Sequence, residues 1–275
     1  MIIWIASYPK SGNTWLRVFL DNLSKFGDER ADINRLGIDN FDARCLFDSL
    51  TGWECTELSQ DESNRLRICA QDSLDPNSIF LYKIHEAFAH PLSGMPLISA
   101  KASFGAIYIV RNPLDVAVSF ANHLGRGIDR VIRLMSLNGS HLGMVAQLSQ
   151  PMGTWSWHVN SWVNAPGVKV HVIRYEDMLA DPVPTFTSVC RFTGLSEDDE
   201  AIARAIENSR FEALQEQEQK NGFRETFAQG RSFFRQGKAG TWREVLTPAQ
   251  VDRVIHSHYD TMKRFGYIKA DGTPV

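Results

Sequence analysis

Lys10, Ser11, Gly12, Asn13 and Thr14 stand between an apolar run, Ile2 to Ala6, and a segment in which Leu16, Phe19, Leu20 and Leu23 recur at helical spacing. A loop that closes onto a helix start exposes unpaired backbone N–H groups at the positive end of the macrodipole. It can therefore hold phosphate oxygens without a metal. Lys10 adds a mobile positive charge, Pro9 and Gly12 suit a sharp turn, and Ser11, Asn13 and Thr14 supply short polar side chains. The order Lys-Ser-Gly, with no glycine four residues earlier, separates this loop from a Walker A sequence. Taken alone, the segment fits an ordinary strand-to-helix turn with a solvated lysine as well as it fits a phosphate cradle.

Three further segments put reactive or cationic residues at comparable points. Ile79 to His85 is an apolar strand that ends in Lys83 and His85. Residues two apart on a strand share a face, so both can address one group, and a neutral imidazole can take a proton near physiological pH. A histidine here can equally be a partly buried residue satisfied by backbone. Ala106 to Val110 reads as a buried parallel strand, after which Asn112 caps a helix that Pro113 opens, with Asp115 in its first turn. Arg111 then lies at a strand's carboxyl end against a helix start, where open α/β sheets bind ligands and a guanidinium fork can grip phosphate. The alternative is a surface arginine paired with Asp115. Phe233 to Thr247 carries Arg235, Gln236, Gly237 and Gly240 in a basic, irregular stretch that suits a solvated loop or an anion cradle.

The elements that must position these residues follow from the pattern. Strands beginning near Ile2, Ile79, Ala106 and Val168 alternate with helical stretches, as in a parallel sheet covered by helices. The candidate residues are scattered from 9 to 240, so any cut would split the site, and the 275 residues are expected to form one α/β domain over residues 1–275. The last helix is marked by Thr247, Pro248 and Gln250 at its start and by a stripe of Val251, Val254, Ile255, His258, Met262 and Phe265. Two stretches, 30–62 and 125–153, lack clear periodicity and are candidates for a lid or acceptor wall, or for scaffold insertions.

Composition narrows the partners. A net charge of −3 argues against nucleic acid or an anionic membrane, so any polyanion must be bound locally. The four cysteines show neither CxxC spacing nor pairing with the histidines as metal ligands, which fits a reduced cytoplasmic protein. The N-terminal apolar run is too short for a signal peptide or a membrane span.

In order along the chain, SYPKSGNTW, the Lys-x-His of Lys83 and His85, RNPLDVAVS from Arg111 to Ser119, and FFRQGKAGTW from Phe233 to Trp242 resemble the motifs of the PAPS-dependent sulfotransferases. PAPS is 3′-phosphoadenylyl sulfate, and its product is PAP. The resemblance covers most of the chain and implies a P-loop-like fold. It implies a 5′-phosphosulfate loop of Lys10, Ser11, Gly12, Asn13 and Thr14, with Asn13 in place of a threonine. It gives 3′-phosphate contacts to Arg111, Ser119, Phe233, Arg235, Gln236 and Gly237, where Gln236 replaces a lysine and removes one positive contact. Trp15, Tyr175 in RYEDML, and Ser209 and Phe211 in NSRFEAL correspond to nucleotide contacts, although each aromatic fits the core as well. The family's dimer segment reads Arg243, Thr247, Pro248 and Asp252 here, and proline in place of valine leaves the oligomeric state open.

The activity implied is in-line transfer of a sulfuryl group to a hydroxyl or amine of a small molecule. His85 would be the base, Lys10 would neutralise the leaving phosphate, Lys83 would hold sulfuryl oxygens, and no metal is expected. The start also resembles that of bacterial glycopeptide sulfotransferases, which implies a natural-product hydroxyl, and Phe88, Phe104, Phe227 and Phe233 allow an apolar or aromatic acceptor. The competing readings are a catalytically silent PAP- or PAPS-binding protein and a P-loop kinase, the latter requiring a Mg²⁺ carboxylate.

Overall fold

Strand β1 (Ile2–Ser7) has no exposed residue, and its branched apolar side chains suit a strand covered on both faces. The structure is a computed structural model, and it describes residues 1–25, 29–143, 146–196, 198–227 and 230–275. After β1 come α1 (Asn13–Leu23), β2 (Asp39–Asn40), α2 (Arg44–Thr51), α3 (Gln60–Asp72), β3 (Phe80–Ile84) and β4 (Ser103–Val110). Next are α4 (Pro113–Leu124), α5 (Ile128–Met135), the short antiparallel pair β5 (His141–Leu142) and β6 (Gln150–Pro151), and α6 (Trp155–Val163). The chain continues through β7 (Val170–Arg174), α7 (Tyr175–Ala180), α8 (Pro182–Thr193), α9 (Asp199–Asn208), α10 (Phe211–Asn221), α11 (Trp242–Val245) and α12 (Pro248–Arg264).

Five parallel strands in the order β2-β3-β1-β4-β7 form the sheet. Successive side chains of β1 point to opposite faces. Ile2, Trp4 and Ala6 enter a core shared with Phe120 of α4, Trp155 and Trp162 of α6 and Met262 of α12. Ile3 and Ile5 enter the other, with Leu16 and Phe19 of α1, Phe186 of α8 and Ile202 of α9. A third cluster joins Val18 of α1, Ile33, Leu214 of α10, Phe223 and Phe234, and so seats the start of the C-terminal basic stretch against the first helix. This is the α/β, single-domain arrangement with a P-loop-like first turn that the pattern predicts.

The strands predicted from residue types are present with shifted ends. β3 stops at Ile84, one residue before His85, and β4 extends back to Ser103. β2, β5 and β6 have two residues each and were not anticipated, since pairing of that length leaves no periodicity to read. The helix starts match closely. The Asn112 side chain accepts from the Leu114 N–H with Pro113 at the first position, and Thr247 and Gln250 form the predicted capping box. On α12 the buried residues are Val254, His258, Thr261 and Met262.

Because all five strands run the same way, their carboxyl ends lie on one edge of the sheet, and the loops leaving β1, β3, β4 and β7 meet there. Among the described residues, no helix is long and apolar enough to cross a membrane, no group of His, Cys, Asp and Glu has a metal-binding arrangement, and all four cysteines are free thiols.

Candidate active site

The loop after β1 is held in a conformation that few residues adopt. Lys10 has φ 66°, the only positive-φ residue apart from glycines among those described, and Gly12 has φ 104° at the cap of α1. A Cβ on Gly12 would stand 2.8 Å from the Tyr175 ring, so glycine is required by space as well as by φ. Asn13 braces the loop from inside: its Nδ2 donates to the Ile5 carbonyl at 2.9 Å and to Ser7 Oγ at 3.2 Å. A residue expected only to line the loop therefore also ties it back to the strand.

Around this loop several buried polar atoms have no protein partner: Ser11 Oγ, Asn13 Oδ1, Trp15 Nε1 and Arg111 Nε. Buried polar groups are ordinarily satisfied, so a concentration of three unspent donors beside a helix start fits an anionic, hydrogen-bonding guest. Arg111 is positioned by the same loop. Its Nη1 donates to the Lys10 carbonyl at 2.9 Å, its Nη2 to the Lys238 carbonyl at 3.2 Å, and its guanidinium carbon lies 4.1 Å from the centre of the Tyr175 ring.

Arg111 does not pair with Asp115. That carboxylate, 1 % exposed, accepts instead from the Gly240 N–H at 2.7 Å, Thr241 Oγ1 at 3.1 Å and the Trp242 N–H at 3.1 Å. The first turn of α4 thus anchors the C-terminal basic loop from one end. Glu218 of α10 anchors the other, accepting from the Phe233 and Phe234 N–H groups at 2.6 and 2.9 Å. Between the anchors, Gly237 has φ 59° and lies so close to Phe211 that a Cβ would be 2.4 Å from its ring. Phe233 covers Lys10, whose Nζ is 3.2 Å from the ring centre.

His85 borders the same cavity mouth as this loop. Its Nδ1 is 2.8 Å from the Ser7 carbonyl, which can only accept, so Nδ1 carries the proton and the lone pair is on Nε2. No described residue bonds Nε2. Burial, then the charge of Lys83, holds the ring well below 6.5, so it is neutral. Its backbone is fixed from beneath: Tyr108 Oη bonds His158 Nδ1 at 2.8 Å, and His158 Nε2 donates to the His85 carbonyl at 3.0 Å. Next in the chain, Glu86 is paired with Arg67 in the interior.

The cations at this mouth are strongly perturbed. Burial pushes Lys10 down to about 7, Arg111 and Lys83 adding to the effect while Glu225 opposes it. Lys83 is also lowered by burial, with Glu225 opposing. Lys83 Nζ donates to Glu225 Oε2 at 3.2 Å, and Arg17 Nη1 donates to Glu225 Oε1 at 2.7 Å. Burial alone would raise the Glu225 carboxyl, but Lys83 and Arg17 together take it below the usual carboxylate range. Asp42, beside β2, is pushed up to about 7 by burial and then by Glu86.

Lys10, Asp42, Lys83, His85, Arg111 and Glu225 border one cavity of about 1590 Å³. Its wall includes Lys10, Gly12, Asn13, Thr14 and Trp15, then Lys83 and His85, then Arg111, Ser119 and Tyr175, and finally Phe211, Phe233, Arg235, Gln236 and Gly237. Of the predicted residues, Ser11 and Ser209 are not on that wall. Ser209 is wholly buried with Oγ donating to the Ile206 carbonyl, while its neighbours Ile206 and Arg210 reach the cavity. Trp15 meets Tyr175 and Phe186 edge-on at 6.0 and 5.6 Å. Phe227 reaches the wall with Phe233, whereas Phe88 is core and Phe104 is exposed away from it. Stretch 30–62 contributes only Asn40 and Asp42, most of the rest forming α2, α3 and core; 125–153 contributes a long wall, with residues 144 and 145 outside the described set.

Sequence reasoning missed Glu225, Arg17 and His123. Lys83 and Arg17 are 142 and 208 residues from Glu225, so no local pattern joins them. Lys238 was within reach: it also lines the cavity, two residues after the glutamine that stands where a lysine is expected, and returns a cation to that loop.

A family model for the sulfotransferase domain matches residues 2–266. Rat sulfotransferase 2A6 is 23% identical over 252 residues, covering 90% of this chain and 80% of the rat protein. Flavonol 3-sulfotransferase of Flaveria bidentis is 26% identical over 270 residues, covering 92% and 78%. Among solved structures, retinol dehydratase in a complex with retinol and PAP aligns with a TM-score of 0.62 at 21% identity, covering 95% of this chain and 81% of that one. Mouse sulfotransferase SULT7A1 complexed with PAP gives 0.60 at 21% identity, with 95% and 83% covered. At these identities the structural likeness speaks for the fold.

Proposed function

Because the chain belongs to the sulfotransferase family, we propose that it works as one domain that moves the sulfuryl group of PAPS to a hydroxyl or amine of a small-molecule acceptor, with His85 as the base. The observation that carries this reading is the shared wall of one cavity: the helix-start loop, Arg111, the Arg235–Gly237 loop and a neutral histidine all face the same space. PAPS supplies, when bound, a sulfuryl group on a phosphate that can leave.

The residues divide the work by position. Lys10, Thr14 and the backbone N–H groups at the start of α1 hold the 5′-phosphate end, drawing on the unspent donors of the loop. Arg111, Ser119, Arg235, Gly237 and Lys238 hold the 3′-phosphate, with Trp15, Tyr175 and Phe211 against the nucleoside. His85 takes the acceptor proton on Nε2 while its Nδ1–H remains on the Ser7 carbonyl, so charge forms on a ring that is already oriented. Lys83 and Lys10 meet the negative charge that develops between acceptor and leaving phosphate. A protein that only stored the nucleotide would have no use for a free imidazole nitrogen at that mouth.

Calorimetric titration with PAP, with and without EDTA, tests the donor site. Micromolar binding indifferent to EDTA and lost in Lys10→Ala is expected, and absence of binding would overturn the assignment. For the base, His85→Ala should keep PAP affinity and lose roughly 10²–10⁴-fold in turnover with labelled PAPS. Equal loss of both would remove His85 from that role.

A further inference from the structure

The donor's negative groups are matched by Lys10, Lys83, Arg111, Arg235 and Lys238, yet the cavity wall carries, besides Arg224 and the Glu207-paired Arg210, a cluster of three more cations close in sequence: Arg126, Arg130 and Arg133. None of the three has an ion-pair or side-chain hydrogen-bond partner among the described residues, and all three are exposed. The acid nearest in sequence, Asp129, is engaged elsewhere, with Arg253 and Gln250 of α12 bonded to its carboxylate. These arginines are therefore not balanced by the fold.

Their place relative to the chemistry can be traced through contacts. Phe233 lies over Lys10, His123 meets Phe233 at 5.6 Å and Phe227 at 5.9 Å, and Arg126 follows His123 by three residues, just past the left-handed cap Gly125 that ends α4. Arg130 and Arg133 follow on α5, both exposed. The same wall carries Leu124, Leu134, Leu137, Leu142 and Phe227 alongside the polar His141, Gln147 and Gln150, and Leu137 and Phe227 are about half exposed. Burial makes His123 neutral, pushed down to about 3, so it adds no charge to this passage.

We propose that the acceptor is an amphipathic anion, with the hydroxyl at His85, an apolar body along Leu124, Leu134 and Phe227, and an acidic group at its far end held by Arg126 and Arg130. The proposal rests on the sulfuryl-transfer reading for the position of the hydroxyl. The recognition itself depends only on the arginines: a guanidinium offers a planar donor pair that fits a carboxylate.

The test is calorimetric titration of the full chain, loaded with PAP and also free of nucleotide, with a homologous series of ω-hydroxyalkanoates and their methyl esters. The best acid should bind about tenfold or more tightly than its ester, the difference shrinking at high salt and in the Arg126→Gln/Arg130→Gln variant while PAP affinity stays as in the parent. Esters that bind as well as acids, or a series in which neither binds, would overturn the proposal. Retained PAP affinity shows the variant is folded, and the salt comparison on the parent protein needs no variant. Should PAP itself not bind, the donor assignment falls, and the acid-against-ester comparison on the nucleotide-free chain still decides this subsite.

Discussion

Lys10 links the site's geometry to solution behaviour most directly. Burial, reinforced by Arg111 and Lys83, takes it from 10.5 to about 7, so above neutrality the free protein has largely given up this proton. A phosphate seated beside the amine stabilises the ammonium and moves the value back up. On the proposed reading, PAP binding should therefore take up a proton above pH 7 and none at this group well below it. Affinity should fall with rising pH, by up to about tenfold per unit above 7, and flatten below. Titrations in buffers of different ionisation enthalpy count the protons directly, and zero uptake at alkaline pH would separate Lys10 from the phosphate. His85 behaves differently: it is already neutral well below 6.5, so turnover should have no acid limb from this group near neutrality. Both residues were legible as chemistry in the sequence, because a lysine in a strand-to-helix loop and a Lys-x-His at a strand end are local patterns. Their ionisation was not legible, because it comes from burial and from charges elsewhere in the chain.

Between elements, the telling contact is the clamp of α4 on the C-terminal loop. Asp115 accepts three bonds from Gly240, Thr241 and Trp242, and the loop they end carries Arg235, Gly237 and Lys238 to the cavity. Asp115→Asn keeps the shape but loses the charge and one acceptor position. It is expected to cost about 1.5–3 kcal/mol, read as lower Tm and as roughly tenfold or more weaker PAP binding, with the catalytic step in the saturated enzyme little changed. A lowered Tm with unaltered PAP affinity would show that the loop is held without this carboxylate. Asn112 and Pro113 announced the start of α4, and Thr247, Pro248 and Gln250 that of α12, because caps are written in adjacent residues. In the sequence Asp115 reads only as an acid in the first turn of α4 or as a partner for Arg111. Its true partners lie more than a hundred residues on, and only the fold brings them together.

Across the whole molecule, Glu225 ties the two ends of the chain at the cavity. It joins Arg17 of the first helix to Lys83 of β3, with the Arg17 side chain 1 % and the Lys83 side chain 11 % exposed. Removing one member of such a buried group leaves the others uncompensated, at a cost of about 3–5 kcal/mol. Glu225→Gln should therefore lower Tm while strengthening the binding of PAPS and of inorganic sulfate, two effects of opposite sign that scanning calorimetry and sulfate titration separate. A lower Tm with no gain for sulfate would make Glu225 structural only. The same carboxylate changes what donor entry means. With a tethered anion already on Lys83, a donor that reaches this lysine enters by counter-ion exchange, displacing a competitor that is always present at high local concentration. On the proposed reading, chloride and free sulfate, each with a single point of attachment, would lose that competition, whereas a donor held at both its phosphates would win it.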